Sequence, residues 1–361
     1  MKTNKAYILQ KKLIDIYLPY VLMLAIGFTM MAPFIWMIST SLKERGAVFT
    51  VPPEWIPRSQ ISVKYKGRNM RVFKAIYNGK ESYFIRLSLF KNTADIVEIT
   101  TLGELTKTAD GIFARNATVS DQIIQINNDQ LKPHKKVYIR WLNYIQAWTA
   151  VDFPKYYINS IIVAIAVTFG QVFTSSLAAY AFARLEFPGR DQIFLAYLGT
   201  MMIPGEVTII PIFILLKKLN WIDTYQALIL PGMFSAYGTF LLRQFFLTIP
   251  KDLEDAAVID GCGKLRIYAT IIMPLSKAAL ATLTTFVFMG SWNNFMWPLI
   301  VTNSDSMKTL PIGLASFQGQ FSTDYTLLMA ASMIVLIPVI IVYIFNQRFF
   351  TEGIVLSGLK A

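Results

Sequence analysis

One histidine, His134, and one cysteine, Cys262, are all that this chain of 361 residues offers for metal ligation or nucleophilic catalysis. That is too few for a His/Cys metal cluster or an intrachain disulfide, and a Ser-His-Asp arrangement would have to use a histidine that lies in a polar segment. Lys264 follows Gly263, but Val258 stands where the first glycine of G-x-x-x-x-G-K-[ST] belongs and Leu265 where Ser or Thr belongs. No phosphate loop is encoded, so a nucleotide site belongs on another polypeptide. The remaining chemistry is recognition. Glu206, in the run Met202-Ile203-Pro204-Gly205-Glu206, is a carboxylate within an apolar stretch; it is expected to face a bundle interior or an aqueous path, the alternative being a place near headgroups. Trp292, Asn293, Asn294 and Trp297 combine amides with flat aromatic faces. That pairing suits sugar hydroxyls and ring C–H surfaces, although polar residues between spans also hydrogen-bond helix to helix, and we favour that role or path lining over a binding site.

The elements that carry these residues are membrane spans. The chain is 54% hydrophobic and 16% charged, with mean hydropathy +0.46, too apolar for one soluble core. Its net charge of +12 suits inward loops and anionic lipid rather than nucleic acid. Lys2, Lys5, Lys11 and Lys12 precede an uncharged run from Ile16 to Leu42, a signal anchor with its amino end inside. Further runs at Tyr156–Ala183, Gln192–Leu216, Thr224–Leu242, Ala278–Thr302 and Tyr325–Gln347 bring the count to six spans, which puts both termini on the cytoplasmic side. Arg184, Arg190, Arg243, Lys251, Lys264, Arg266, Arg348 and Lys360 then fall inside, as the positive-inside rule requires. Lys217 and Lys218 are the exceptions, explained by snorkelling to headgroups.

Between the first two spans, Lys43 to Ala150 holds 17 Lys and Arg against 9 Asp and Glu. Alternating stretches at 61–66, 70–77 and 82–90, with Asn78-Gly79 as a hairpin turn, predict a small antiparallel β domain with further strands at Ile96–Thr100 and Gln122–Ile126. The expected organisation is therefore 1–42, a cytoplasmic terminus and first span; 43–150, an extracytoplasmic β-rich insertion; and 151–361, five spans. Within the last lies a polar helix-turn-helix, Leu253–Leu280. Pro250, Asp252, Glu254 and Asp255 suit the opening of its first helix, Leu253, Ala256, Ala257 and Asp260 share a face read as a docking knob, Gly261 ends the helix, and Pro274 stops the second one.

The order E-D-A-A-x-x-D-G followed by I-x-x-P, in Glu254, Asp255, Ala256, Ala257, Asp260, Gly261 and Pro274, resembles the EAA loop of binding-protein-dependent ABC importers. The stretches Asn159–Arg190 and Ser291–Val301 and the tail after Gln347 are similar to MalG-like permease subunits of the carbohydrate branch. The resemblance covers 1–58 and 141–361; residues 59–139 have no counterpart in it, and read either as an extra contact for the binding protein or a lid, or as a tolerated surface decoration. It implies an all-α polytopic fold of six transmembrane helices, an inner-membrane location, and a non-catalytic chain whose coupling loop at 250–275 docks on an ATPase. Implied partners are a second homologous permease, two ATPase subunits that use ATP and Mg, and an extracytoplasmic solute-binding protein, with membrane lipid around the spans. The resemblance also gives Gln318, Gly319 and Gln320 an external role: a loop tip whose amides compete for sugar hydroxyls in the binding protein's cleft. The implied cargo is a carbohydrate, an oligosaccharide; a polyol or glycerol phosphate is the alternative. An ion-coupled carrier would show several intramembrane carboxylates and inverted repeats, and a sensor or scaffold built on the β insertion would have no need of the coupling loop.

Overall fold

Long uncharged runs stay helical in this chain only where turn-forming residues are sparse. The computed structural model describes residues 13–109, 111–318 and 324–358. Three runs form single long helices: α1 (Leu18–Ser41), α3 (Phe153–Arg184) and α14 (Tyr325–Gly358). All three are long and apolar enough to cross a membrane. The short helix α2 (Leu142–Thr149) precedes α3.

The remaining runs break: a break is expected in Gln192–Leu216, where Pro204, Gly205 and Pro211 stand in the apolar stretch, and the others depart from the continuous spans expected of them. Gln192–Leu216 becomes α4 (Arg190–Gly199), a 3-10 turn and α5 (Gly205–Lys218), with a bend of 98° between the two halves. Pro204 is the cause: its ring excludes helical backbone from the residue before it, and Ile203 takes ψ 117°. Thr224–Leu242 becomes α6 (Tyr225–Ile229), a 3-10 turn over Leu230–Met233 and α7 (Ala236–Phe246). Phe234 and Ser235 are extended there, and Ser235 Oγ accepts the Gly238 N–H at 3.1 Å to start α7. The polar loop contains α8 (Asp252–Ile259), α9 (Lys264–Ile267), a π-helical turn over Tyr268–Ile272 and α10 (Met273–Leu275). After it come α11 (Lys277–Trp292), α12 (Met296–Val301) and α13 (Leu310–Ala315). Pro274 comes just after the π-helical turn, near the end of the continuous helical run Lys264–Leu275, which stops one residue after it. The chain turns at Ser276, by 81° into α11.

The chain divides into two compact units, residues 1–147 with 317–333, and residues 148–316 with 334–361. In the first, the strands β1 (Arg58–Gln60), β2 (Ser62–Tyr65), β3 (Arg68–Tyr77), β4 (Lys80–Phe90), β5 (Thr93–Thr101), β6 (Glu104–Thr108), β7 (Gly111–Arg115), β8 (Thr118–Asn127), β9 (Lys132–Pro133) and β10 (Lys135–Val137) form two sheets. The larger runs β6-β7-β2-β3-β4-β5-β8 with β9 beside β3; β1 pairs with β10. Asn78 and Gly79 turn β3 into β4 with φ of +52° and +76°, the conformation a two-residue hairpin needs. One pair, β2 with β7, is parallel, so the expected all-antiparallel pattern is corrected there. Neighbouring residues Val72 and Phe73, Ile85 and Phe84, and Val97 and Ile96 alternate between two separate apolar clusters. The period of two thus buries both faces of the sheet.

In the second unit, α3 is the axis. Val163, Val167, Ala179, Leu242, Phe246 and Leu283 gather around it from α3, α7 and α11. A Cβ on Gly238 would lie 2.6 Å from Ser175 Oγ, so α7 reaches α3 this closely only because residue 238 has no side chain.

Candidate functional site

The polar loop after α7 has the clearest construction. Asp252, Glu254 and Asp255 lie in the first turn of α8, where negative charge suits the helix dipole. Its far end is a Schellman closure: the Cys262 N–H donates to the Ala257 carbonyl at 2.9 Å and the Gly261 N–H to the Val258 carbonyl at 3.0 Å. Gly261 carries φ +80°, as this closure demands.

Of Leu253, Ala256, Ala257 and Asp260, expected to share one open face, all but Ala257 are exposed. Ala257 is 7% exposed and packs in the core of the second unit. Glu254 also turns inward: its side chain is 12% exposed, with Oε1 3.0 Å from Arg184 Nε. The geometry is a charge contact rather than an aligned hydrogen bond. Leu253, Asp255, Ala256 and Asp260 face outward. The outward face also carries Val258, Ile259 at 86% exposure and Leu265 at 75%, none of them among the residues expected to form it. The signal in the sequence was their position, apolar residues beside D-G and G-K in a polar stretch, masked by a chain rich in apolar residues everywhere.

A cavity of about 520 Å³ opens in the same unit, within the ordinary size range of ligand sites. Gln171 of α3, Thr208 of α5, Tyr237 of α7, Ser291 of α11, and Asn294 and Trp297 contribute its polar and aromatic lining. Among the described residues that line it there is no Lys, Arg, Asp or Glu. Trp297 is fixed by its indole N–H, which donates to the Ala227 carbonyl at 2.9 Å, and the Asn294 side-chain oxygen accepts the Trp297 N–H at 3.2 Å. Asn294 and Trp297 are thereby brought together at one wall, whereas Asn293 is exposed, does not line the cavity, and donates back to the Met289 carbonyl at 2.9 Å. Trp292 is a packing residue: it is buried, stacks near Phe288 at 5.7 Å, and donates to the Val335 carbonyl at 3.2 Å.

Glu206 is exposed in the first turn of α5 rather than enclosed by this chain's own helices, although its neighbours Gly205, Thr208 and Ile209 line the cavity. Gln318 is exposed; Gly319 and Gln320 lie outside the described residues.

An apolar helical unit with a polar, outward-facing loop and a neutral cavity between its helices describes a membrane permease component. Residues 171–354 match the family model of the binding-protein-dependent transport system inner membrane component, and the chain belongs to that family. It is 40% identical over 202 residues to the arabinooligosaccharides transport system permease protein AraQ of Halalkalibacterium halodurans, covering 56% of this chain and 72% of that protein. It is 39% identical over 223 residues to the sn-glycerol-3-phosphate transport system permease protein UgpE of Yersinia pestis bv. Antiqua, covering 60% and 79%. A crystal structure of a bacterial ABC transporter involved in the import of the acidic polysaccharide alginate shares the fold, with TM-score 0.64 at 19% identity over 94% of this chain and 97% of that one.

Proposed function

We propose that the chain is the permease subunit of an ATP-driven importer for a neutral oligosaccharide, and that the loop at 250–275 docks on an ATPase carried by separate chains. The observation that carries the substrate reading is the lining of the cavity. Amides, hydroxyls and an indole face supply the hydrogen bonds and stacking that a sugar uses. A phosphate ester is a different ligand: its charge needs paired cations when desolvated, and the lining supplies none. The relatives split between these two cargoes, and the lining favours the first. A polyol fits the same lining and is the second reading.

Partners in this account are a homologous second permease, two ATPase subunits that bind ATP and Mg, and an extracytoplasmic binding protein. The basic short loops and the lysines before the first span support six crossings with both termini in the cytoplasm. Residues 43–150, with the sheets at 58–137, then face outward, as does the loop bearing Gln318, Gly319 and Gln320. Closure of the ATPase dimer displaces the loop and shifts the helices between inward-open and outward-open arrangements, each ligand biasing a two-state element.

The test is uptake by proteoliposomes holding the full complex. An arabino-oligosaccharide should stimulate hydrolysis and accumulate, and Asn294→Ala with Trp297→Ala should lower uptake by about tenfold or more, as loss of one or two hydrogen-bonding contacts predicts. Import of sn-glycerol 3-phosphate with no response to sugars would contradict the substrate assignment.

A further inference from the structure

Three residues of α3 at i, i+4 and i+8 form one polar stripe, and each of them holds the polar loop or the chain that leads into it. Ser176 Oγ and Tyr268 Oη share a hydrogen bond of 2.7 Å, and Tyr180 Oη donates to the Lys264 carbonyl at 3.1 Å. Arg184, the last residue of α3, is 9% exposed. It donates to the Phe246 carbonyl and, at 2.5 Å, to the Ile249 carbonyl, both at the exit from α7, and its Nε lies 3.0 Å from Glu254 Oε1. Both arms of the loop are therefore tied to a single 32-residue helix. A fork that meets two carbonyls and a carboxylate at once is a task for guanidinium, which lysine cannot reproduce.

We infer that Arg184 and Glu254 are positioning residues of the transmission, an internal latch that makes the loop move as one body with α3, and that Glu254 is not part of the face offered to the ATPase. This rests on the loop being the ATPase contact. Two surfaces of the same helix then have separable tasks. Ile259 and Leu265, on the outward side, hold the partner; Glu254 and Arg184, on the inward side, convert the partner's movement into movement of α3. The mild end of the stripe, Tyr180 and Ser176, fastens the second arm.

The experiment compares Arg184→Lys, Glu254→Gln and the double variant Tyr180→Phe with Ser176→Ala in the complete transporter, purified and reconstituted. Three quantities are read: ATPase co-purified per permease, hydrolysis with and without loaded binding protein, and uptake. The latch predicts wild-type ATPase recovery in all variants. It also predicts a stimulation ratio that falls toward one, and uptake reduced at least tenfold in Arg184→Lys and Glu254→Gln and severalfold in the double variant. A role confined to stability would lower the amount of complex and leave the stimulation ratio per complex intact, which overturns the inference. Loss of ATPase from Glu254→Gln would overturn it too, by placing that carboxylate on the docking face. If Arg184→Lys and Glu254→Gln fail to accumulate in the membrane, the Tyr180→Phe and Ser176→Ala variant decides, since it removes only two hydroxyls, and an unchanged stimulation ratio there refutes the latch. Failure of the wild-type complex to contain an ATPase at all would refute the underlying reading instead.

Discussion

Ile259 and Leu265 are the residues on which the docking proposal is most exposed to refutation. Each presents a bare aliphatic side chain to solvent on a loop rich in charged residues. A partner that covers them gains apolar burial, and a carboxylate placed there would be buried without a partner charge. Ile259→Asp or Leu265→Asp should therefore abolish recovery of an ATPase on a tagged permease while the permease still reaches the membrane; full recovery would place the contact elsewhere. Gly261 is a different case, because its φ of +80° is a conformation that costs another residue about 1–2 kcal/mol. Gly261→Ala should lower the thermal stability of the permease by that amount, and a fluorescence melt would detect it. Of this site, Gly261 and the acidic opening of α8 were legible in the sequence, because caps and turns depend on local residue type. The inward turn of Glu254 and Ala257 was not, because it depends on Arg184, 70 positions earlier in the chain, and on the packing around α3.

Phe84 is fully buried in one of the sheet's two apolar clusters, so Phe84→Ala should cost about 3–5 kcal/mol, seen as faster proteolysis within residues 58–137 of the detergent-solubilised protein. His134 gives the sheet a pH response. Burial, and then the cations Lys74 and Lys136, hold its imidazole below the ordinary value of 6.5, against an opposing pull from Glu81. The unfolded chain therefore takes up this proton first, and stability is full above pH 6.5 and declines as pH falls from there toward the lower folded value. Protease resistance of the sheet should drop between pH 7.5 and 5, and His134→Gln should flatten that slope; an unchanged slope in the variant would assign the acid response to other groups. The long strands β3, β4, β5 and β8 were readable from alternation and from the Asn78-Gly79 turn. The short ones were not: β1, β9 and β10 span only two or three residues, and parallel β7 finds β2 through long-range pairing that no local pattern announces. The broken helices follow the same logic. Two of the breaks have a local cause: Pro204 interrupts one run, and Pro231-Gly232 stand in the 3-10 turn before the extended Phe234 and the Ser235 cap in another, a run nevertheless expected to be one span.

At the scale of the whole molecule, a neutral cavity among helices lies in the same unit as a loop with two different surfaces, one facing out and one facing α3. Composition and hydropathy already required a membrane protein, the family match makes it a permease component, and the neutral cavity lining is what the proposal of a sugar cargo rests on. In the proposed mechanism, docking of an ATPase on the loop at 250–275 is what would make these parts one machine. The most direct measurement is purification of tagged protein from its native membrane in mild detergent, alongside the Ile259→Asp and Leu265→Asp variants, with mass spectrometry of what accompanies each. The account predicts an ATPase, a second permease and a binding protein with the wild-type chain, and selective loss of the ATPase from the variants with the second permease retained. Recovery of the wild-type chain alone, or of the ATPase undiminished on both variants, would contradict it.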